Sequence, residues 1–378
     1  MIDVQPFISE RPDAVFVLRT QLGGLTDTQG MVEAGRLAAA VLFRPAAGVS
    51  AKRRIVIKPN ITAGLEIDSA SGLPFPGQDG VVTSPLFVAG LADGMRRLTT
   101  APIAVAEGTP LTVVNARGYT ELLRERGLEF LDLNVPQITA TEFPETGLNW
   151  YPVHGVVHRD LPFVKPIGDP DVFLINLPKM KAHNLAITTL AVKNMQGAVP
   201  LLWPRQFCQG VSALDAMPAR VRALFQPDAL QRVEALCREH VAAGYPAWDA
   251  AGLRDESYVQ RAVDLLAGPQ PDLHLIEGCT IRDGSGFRRG RDRLGNYLIA
   301  GRNAVAVDAI ATWIMGHDPR HVGLYRVANE RGRGENDPAR IAVFLATAEG
   351  LTSSDYRELE RVPTGVYRHS DSAVLRFL

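Results

Sequence analysis

A chain of 378 residues, 46% hydrophobic and 21% charged, is long enough to bury a large core and to form two lobes or one large domain with an insertion. Its 40 Lys and Arg against 41 Asp and Glu leave a formal net charge of -1, so no global charge excess points to nucleic acid or an anionic membrane. Three scattered cysteines, Cys208, Cys237 and Cys279, argue against a disulfide scaffold, a paired-ligand zinc site and an iron–sulfur cluster held by this chain alone.

The N-terminus, MIDVQPFISERPD, lacks the basic and apolar regions of a secretion signal, and no stretch approaches the ~20 apolar residues of a membrane span. With so few cysteines, the expectation is a cytoplasmic protein with no nucleic-acid or membrane partner. Residues 14 to 18 predict a first strand, and Met31 to Phe43 carries helical spacing in Val32, Leu37, Ala40 and Val41. Ile55-Val56-Ile57 is a second, buried strand ending in Lys58-Pro59-Asn60. A loop rich in Gly, Ser, Pro and Asp follows, to Val82; loops of such length are functional or mobile more often than neutral.

Thr83-Ser84-Pro85 opens a helix to about Leu98, with Pro at its first position. Pro102 to Ala106 is a third strand, ending in Glu107-Gly108-Thr109; Ala116 to Arg126 is helical and Leu128 to Leu133 extended. This alternation predicts an α/β fold with a mainly parallel sheet covered by helices on both faces. In such sheets ligands bind beyond the carboxyl ends of the strands.

After a Pro- and Thr-rich stretch with short β-like pieces (134–170), residues 171–200 read DVFLINLPKMKAHNLAITTLAVKNMQGAVP. Val172 to Ile175 is a buried strand stopped by Asn176 and Pro178. Lys179, Lys181 and His183 alternate, so extended chain points all three to one side. Asn184 is the expected N-cap of a helix to about Met195 that stops at Gly197. Three basic side chains would then meet a helix N-terminus, where free N–H groups and the dipole favour an anion.

From Arg205 to about Gly268 the chain is rich in Ala, Arg and Leu and interrupts the alternation as a helical insertion or cap. Leu273 to Ile276 is a strand, IRDGSGFRRGRDRLG a loop, Tyr297 to Ala300 a strand, and Asn303 begins a helix ending at Gly316. The expected organisation is an N-terminal α/β part (1–204), the helical insertion or cap (205–268) and a C-terminal α/β part completing the core (269–378).

Lys58-Pro59-Asn60 after a strand, then LINLPKMKAH, TTLAVKNMQGAVP, LIEG and LIAGRNAVAVDAIATWIMG, stand in the order and spacing of the DUF362 family, a domain of unknown function. The chain resembles that family over roughly residues 52 to 320, in its stand-alone branch. Many relatives carry ferredoxin-like cysteine clusters and look redox-associated; this chain has no such cluster. Relatives also place a basic, His-containing segment after the central helix, where this chain has LLWPRQFCQG with no His. The resemblance implies the architecture and the location of the site, and gives no reaction.

Lys179, Lys181 and His183 are candidates to bind a carboxylate or phosphate or to exchange protons, against the competing reading of a solvated basic turn with one Lys ion-paired. A lysine desolvated beside other cations has its pKa lowered and can act as a base. On a helical wheel Asn184, Thr188, Thr189, Lys193 and Gln196 share one arc, and of these Asn184, Thr188 and Lys193 are candidate substrate contacts. Asn194 falls in the apolar arc and either holds a neighbouring loop, reaches a ligand or satisfies the helix terminus. Lys58 and Asn60 lie on the ligand side of the sheet. Glu107 is a general base, a metal ligand or an ion-pair partner. Asp308, the one charged residue between Ala304 and Gly316, is expected to be buried in a salt bridge, with a metal or substrate contact as the alternative.

A divalent metal at Glu107 and Asp308 is thus a secondary option. His154/His158 and His317/His321 have metal-like spacing in segments that do not read as helical. No GxGxxG, P-loop or GxSxG motif occurs, so no organic cofactor is implied. The expected function is an enzyme acting on a small anionic metabolite by Lys/His acid–base chemistry, an isomerase- or lyase-like rearrangement. The alternatives are an oxidoreductase or redox accessory working with a separate iron–sulfur partner, and a small-ligand-binding protein without chemistry.

Overall fold

A computed structural model describes residues 1–65, 78–139, 142–183, 186–200, 218–242, 253–284 and 290–366. Its strands, in chain order, are β1 (Ile2–Val4), β2 (Val15–Arg19), β3 (Phe43–Pro45), β4 (Arg54–Pro59), β5 (Ile103–Glu107), β6 (Glu129–Asp132), β7 (Leu148–Pro152) and β8 (Asp160–Val164). They continue with β9 (Val172–Leu177), β10 (Lys179–His183), β11 (Ile187–Thr189), β12 (Leu273–Arg282), β13 (Asp292–Gly301), β14 (Val343–Thr347) and β15 (Gly350–Ser354). The main sheet runs β15-β14-β2-β13-β12-β9-β4-β5-β6, with β10 and β11 attached beside β12. Strands β12, β9, β4, β5 and β6 run parallel to one another, while β13 is antiparallel to both β12 and β2. The expected α/β fold with a mostly parallel sheet is present.

The central strands read as unbroken apolar runs because helices cover both faces. Val56, Leu174, Ile276 and Ile299 belong to one core with the Ala304–Ile314 helix. Ile55, Ile57, Phe173, Ile175 and Leu275 belong to the other, with the helices Thr28–Leu42 and Pro85–Arg96. Each fully buried Val, Leu or Ile contributes about 1.5–3 kcal/mol before conformational entropy is subtracted. The last two helices touch closely through small residues: a Cβ on Gly90 would stand 2.0 Å from the Val32 carbonyl oxygen.

Several local expectations are corrected. The helix from Asn184 to Met195 does not form; β10 turns back into β11, with His183 opposite Ile187 and Lys181 opposite Thr189. Ile187, Thr188 and Thr189 are β-branched and favour extended chain, so the helix begins only at Ala191 and runs to Asn194. Ile187 sits at φ 64, a strained conformation for a β-branched residue. Asn184 itself lies outside the described residues, as do Ser285 to Arg289 of the expected loop. The ends of that loop are strand, because β12 and β13 pair as far as Arg282 opposite Asp292. The helix expected over 116–126 is two helices, Leu111–Ala116 and Tyr119–Glu125, separated at Gly118 with φ 75. Of the expected helical insertion, the described parts are the helices Ala219–Arg222, Pro227–Ala242 and Leu253–Asp264.

Candidate functional site

The parallel register carries the ends of β4, β5 and β9 to one edge of the sheet, where Lys58 stands opposite Asn176. Two buried ion pairs frame this edge. Lys58 Nζ donates to both oxygens of Glu107, at 2.9 and 3.1 Å, and to the Pro59 carbonyl at 3.2 Å. Glu107 also accepts from the backbone N–H groups of Ile61 and Gly108. Lys179 Nζ lies 2.6 Å from Glu277 Oε2 and 2.7 Å from Thr280 Oγ1, and Glu277 accepts further from Ser84 N and Cys279 N. Of the three roles open to Glu107, the structure assigns that of ion-pair partner.

Lys181 is different. It is buried, and among the described residues its Nζ donates to neutral oxygens, Thr62 Oγ1 at 2.9 Å and the Val81 carbonyl at 2.5 Å. Among the described residues it has no carboxylate partner. Burial drives its pKa well below the ordinary lysine value, and the charges of Lys193, Arg117, Lys179 and Arg282 push the same way. Arg117 spends its guanidinium on the Ala63, Gly64 and Gln78 carbonyls. The 78–84 segment that holds Lys181 also walls a 270 Å³ cavity lined by Asp79, Ser84 and Arg117. Lys193 is half-buried and has no ion-pair partner among the described residues.

A chain of carboxamides ties these elements together. Asn194 Nδ2 donates to the Lys58 carbonyl at 3.1 Å and to Asn176 Oδ1 at 2.8 Å, while its Oδ1 accepts from Asn60 Nδ2. Asn194 therefore holds the end of β4, the loop-holding role. Asn60 Oδ1 is buried with no hydrogen-bond partner among the described residues. An orphaned buried acceptor costs about 1–3 kcal/mol, and a ligand donor would relieve it.

Asp308 forms no salt bridge among the described residues. Its oxygens accept from Ala191 N at 2.7 Å and Val192 N at 3.0 Å, capping the short Ala191–Asn194 helix. The group that meets those N–H donors is the protein's own carboxyl. Burial pushes the Asp308 pKa up to about 8, opposed by those two N–H donors. Thr188 is turned into the core, where its hydroxyl meets Thr312 Oγ1 and the Tyr325 hydroxyl at 2.9 and 2.7 Å. His183 is buried; its Nδ1 accepts from Ala186 N at 3.3 Å, and its ring stacks on Tyr258 with centroids 5.7 Å apart. Lys58, Asn60, Glu107, Lys179, Lys181 and Asn194 are thus brought together, while Asp308 and Thr188 serve the helices behind them. Among the described residues, no three His, Cys, Asp or Glu side chains group as metal ligands.

The sequence reading missed Glu277, Asn176 and His274, each a polar residue within or beside an apolar strand, the same signal that singled out Asp308. Thr62 and Arg117 lie outside the strands and gave no signal.

Among known proteins, the family model described as Domain of unknown function (DUF362) matches residues 55–313. A thylakoid-associated protein of Synechocystis sp. is 25% identical over 296 residues, which cover 76% of this chain and 72% of that protein. No solved structure matches.

Proposed function

The chain belongs to the DUF362 family, and on that premise we propose that it is an enzyme that moves a proton on a small anionic metabolite, with Lys181 as the proton carrier. One observation carries the reading: among the described residues, Lys181 is a buried amine bonded only to neutral oxygens, while Lys58 and Lys179 at this edge each have a carboxylate. A lysine so placed shifts toward the neutral amine, whose lone pair can take a proton from carbon or oxygen. Lys193 supplies charge for the substrate's anionic group, and Asn60 Oδ1 an acceptor for one of its donors. His183, with Nδ1 already accepting, offers the opposite proton movement from its ring. Lys58–Glu107 and Lys179–Glu277 are positioning pairs that keep neighbouring charges compensated. The chemistry is an isomerisation or elimination and calls for no organic cofactor.

We place the activity in the cytoplasm, which the sparse cysteines support. No helix among the described residues is long and apolar enough to cross a membrane. The relative's name places that protein at the thylakoid, so salt-washed membrane fractions should be probed for this chain; recovery there would overturn the placement.

The test is a thermal-shift screen of carboxylate and phosphate metabolites, followed by NMR of each hit in deuterated water. A hit whose carbon-bound hydrogen exchanges with wild type and not with Lys181→Met supports the proposal. Binding and exchange undiminished in Lys181→Met and Lys193→Met would overturn it; binding without any exchange would leave a ligand-binding protein.

A further inference from the structure

On the sheet face covered by the Ala304–Ile314 helix lies a separate cleft of 430 Å³. His274, Arg302 and Arg333 line it, with Met195 and Leu265 among its apolar walls. The carboxamide chain fixes the chemistry of its histidine. Asn194 Nδ2 faces the Lys58 carbonyl, so the atom of Asn176 that it meets must be the oxygen. The Asn176 nitrogen then faces the Ala191 carbonyl and His274 Nδ1, each at 2.9 Å. Asn176 donates to both, so Nδ1 accepts and the proton of the neutral ring sits on Nε2. His274 is 3% exposed, and Nδ1 is its one ring atom with a hydrogen bond among the described residues. A buried imidazole with an unused N–H donor therefore borders the cleft.

The charged groups of the cleft have the same preference. Arg302 has no ion pair among the described residues, and Arg333 Nε is buried without a hydrogen-bond partner. Asp13, the one carboxylate among the described residues of the lining, already accepts from Asn303 Nδ2 at 3.4 Å. Two guanidiniums against one carboxylate leave a positive site with an apolar wall. We propose that this cleft binds a small monocarboxylate with a short apolar body, its oxygens held by His274 Nε2–H, Arg302 and Arg333. The site stands independently of the Lys181 chemistry, since its test reads binding and not turnover.

The experiment titrates the full chain, labelled with ¹⁵N-histidine, with hexanoate and separately with inorganic phosphate, following His274 by long-range ¹H–¹⁵N correlation. The expected result is a proton on Nε2 before ligand, a saturable His274 shift with hexanoate and none with phosphate. Arg333→Gln and the more exposed Arg302→Gln should each weaken hexanoate about tenfold, the loss of one charge-assisted contact. A proton on Nδ1, no saturable shift, equal response to phosphate, or unchanged affinity in both variants would each overturn the proposal.

Discussion

Replacing Lys58 with Met should cost about 3–5 kcal/mol, because it strands a carboxylate rather than because it removes an attraction. At the observed 2.9 Å, and with an effective dielectric near 20, the Lys58–Glu107 attraction is about 6 kcal/mol before either charge is desolvated. Much of that is offset in the intact pair by taking two charges out of water. In Lys58→Met the offset persists for Glu107, which among the described residues keeps the Ile61 and Gly108 N–H groups as donors. Glu107→Gln leaves the opposite fault, a buried ammonium facing an amide. The double variant buries no charge at this position, so its cost should fall below the sum of the single costs by about 2–3 kcal/mol. Urea unfolding of the four proteins, analysed as a cycle, measures this. Additivity within about 0.5 kcal/mol would refute the reasoning.

Three further outcomes follow from the same geometry. Lys181→Met strands no carboxylate and should cost about 1–2 kcal/mol, clearly less than Lys58→Met in the same urea series. Gly197→Ala places a Cβ 2.2 Å from Glu107 Oε1 and 2.8 Å from Lys58 Nζ, and should lower stability by about 1–3 kcal/mol unless the ion pair moves aside. Asp308 holds its proton to about pH 8 in the folded chain against 3.8 in the unfolded one, so its contribution is complete below about pH 4 and is lost as pH rises through about 8. The stability advantage of wild type over Asp308→Asn should therefore narrow between about pH 5 and about pH 8.5. An advantage that widens over that range would mean the two N–H donors outweigh burial.

The layout of the sheet was readable because buried parallel strands leave continuous apolar runs and their polar terminators, Lys58, Glu107 and Lys179, follow them directly. The 184–195 stretch misled for a physical reason. Its apolar and polar residues fit a helical arc, yet Ile187 to Thr189 pair with β10, and only tertiary context selects the hairpin. Thr188, grouped with the ligand contacts on that arc, consequently faces Thr312 and Tyr325. Asp308 was correctly marked as a buried acid, but its partners are backbone N–H groups, which no side-chain pattern reveals. Pairing was the other hidden quantity. Three lysines looked alike in sequence, and only the fold shows that Glu107 and Glu277 compensate two of them and leave Lys181 aside.

That distinction is the central claim, and NMR titration of protein labelled with ¹³Cε-lysine tests it directly, with Lys181 assigned by the signal missing from Lys181→Met. A resonance that titrates well below the ordinary lysine value of 10.5, and below those of the other lysines, is the predicted result. A Lys181 resonance that titrates at or above 10.5 would contradict the account.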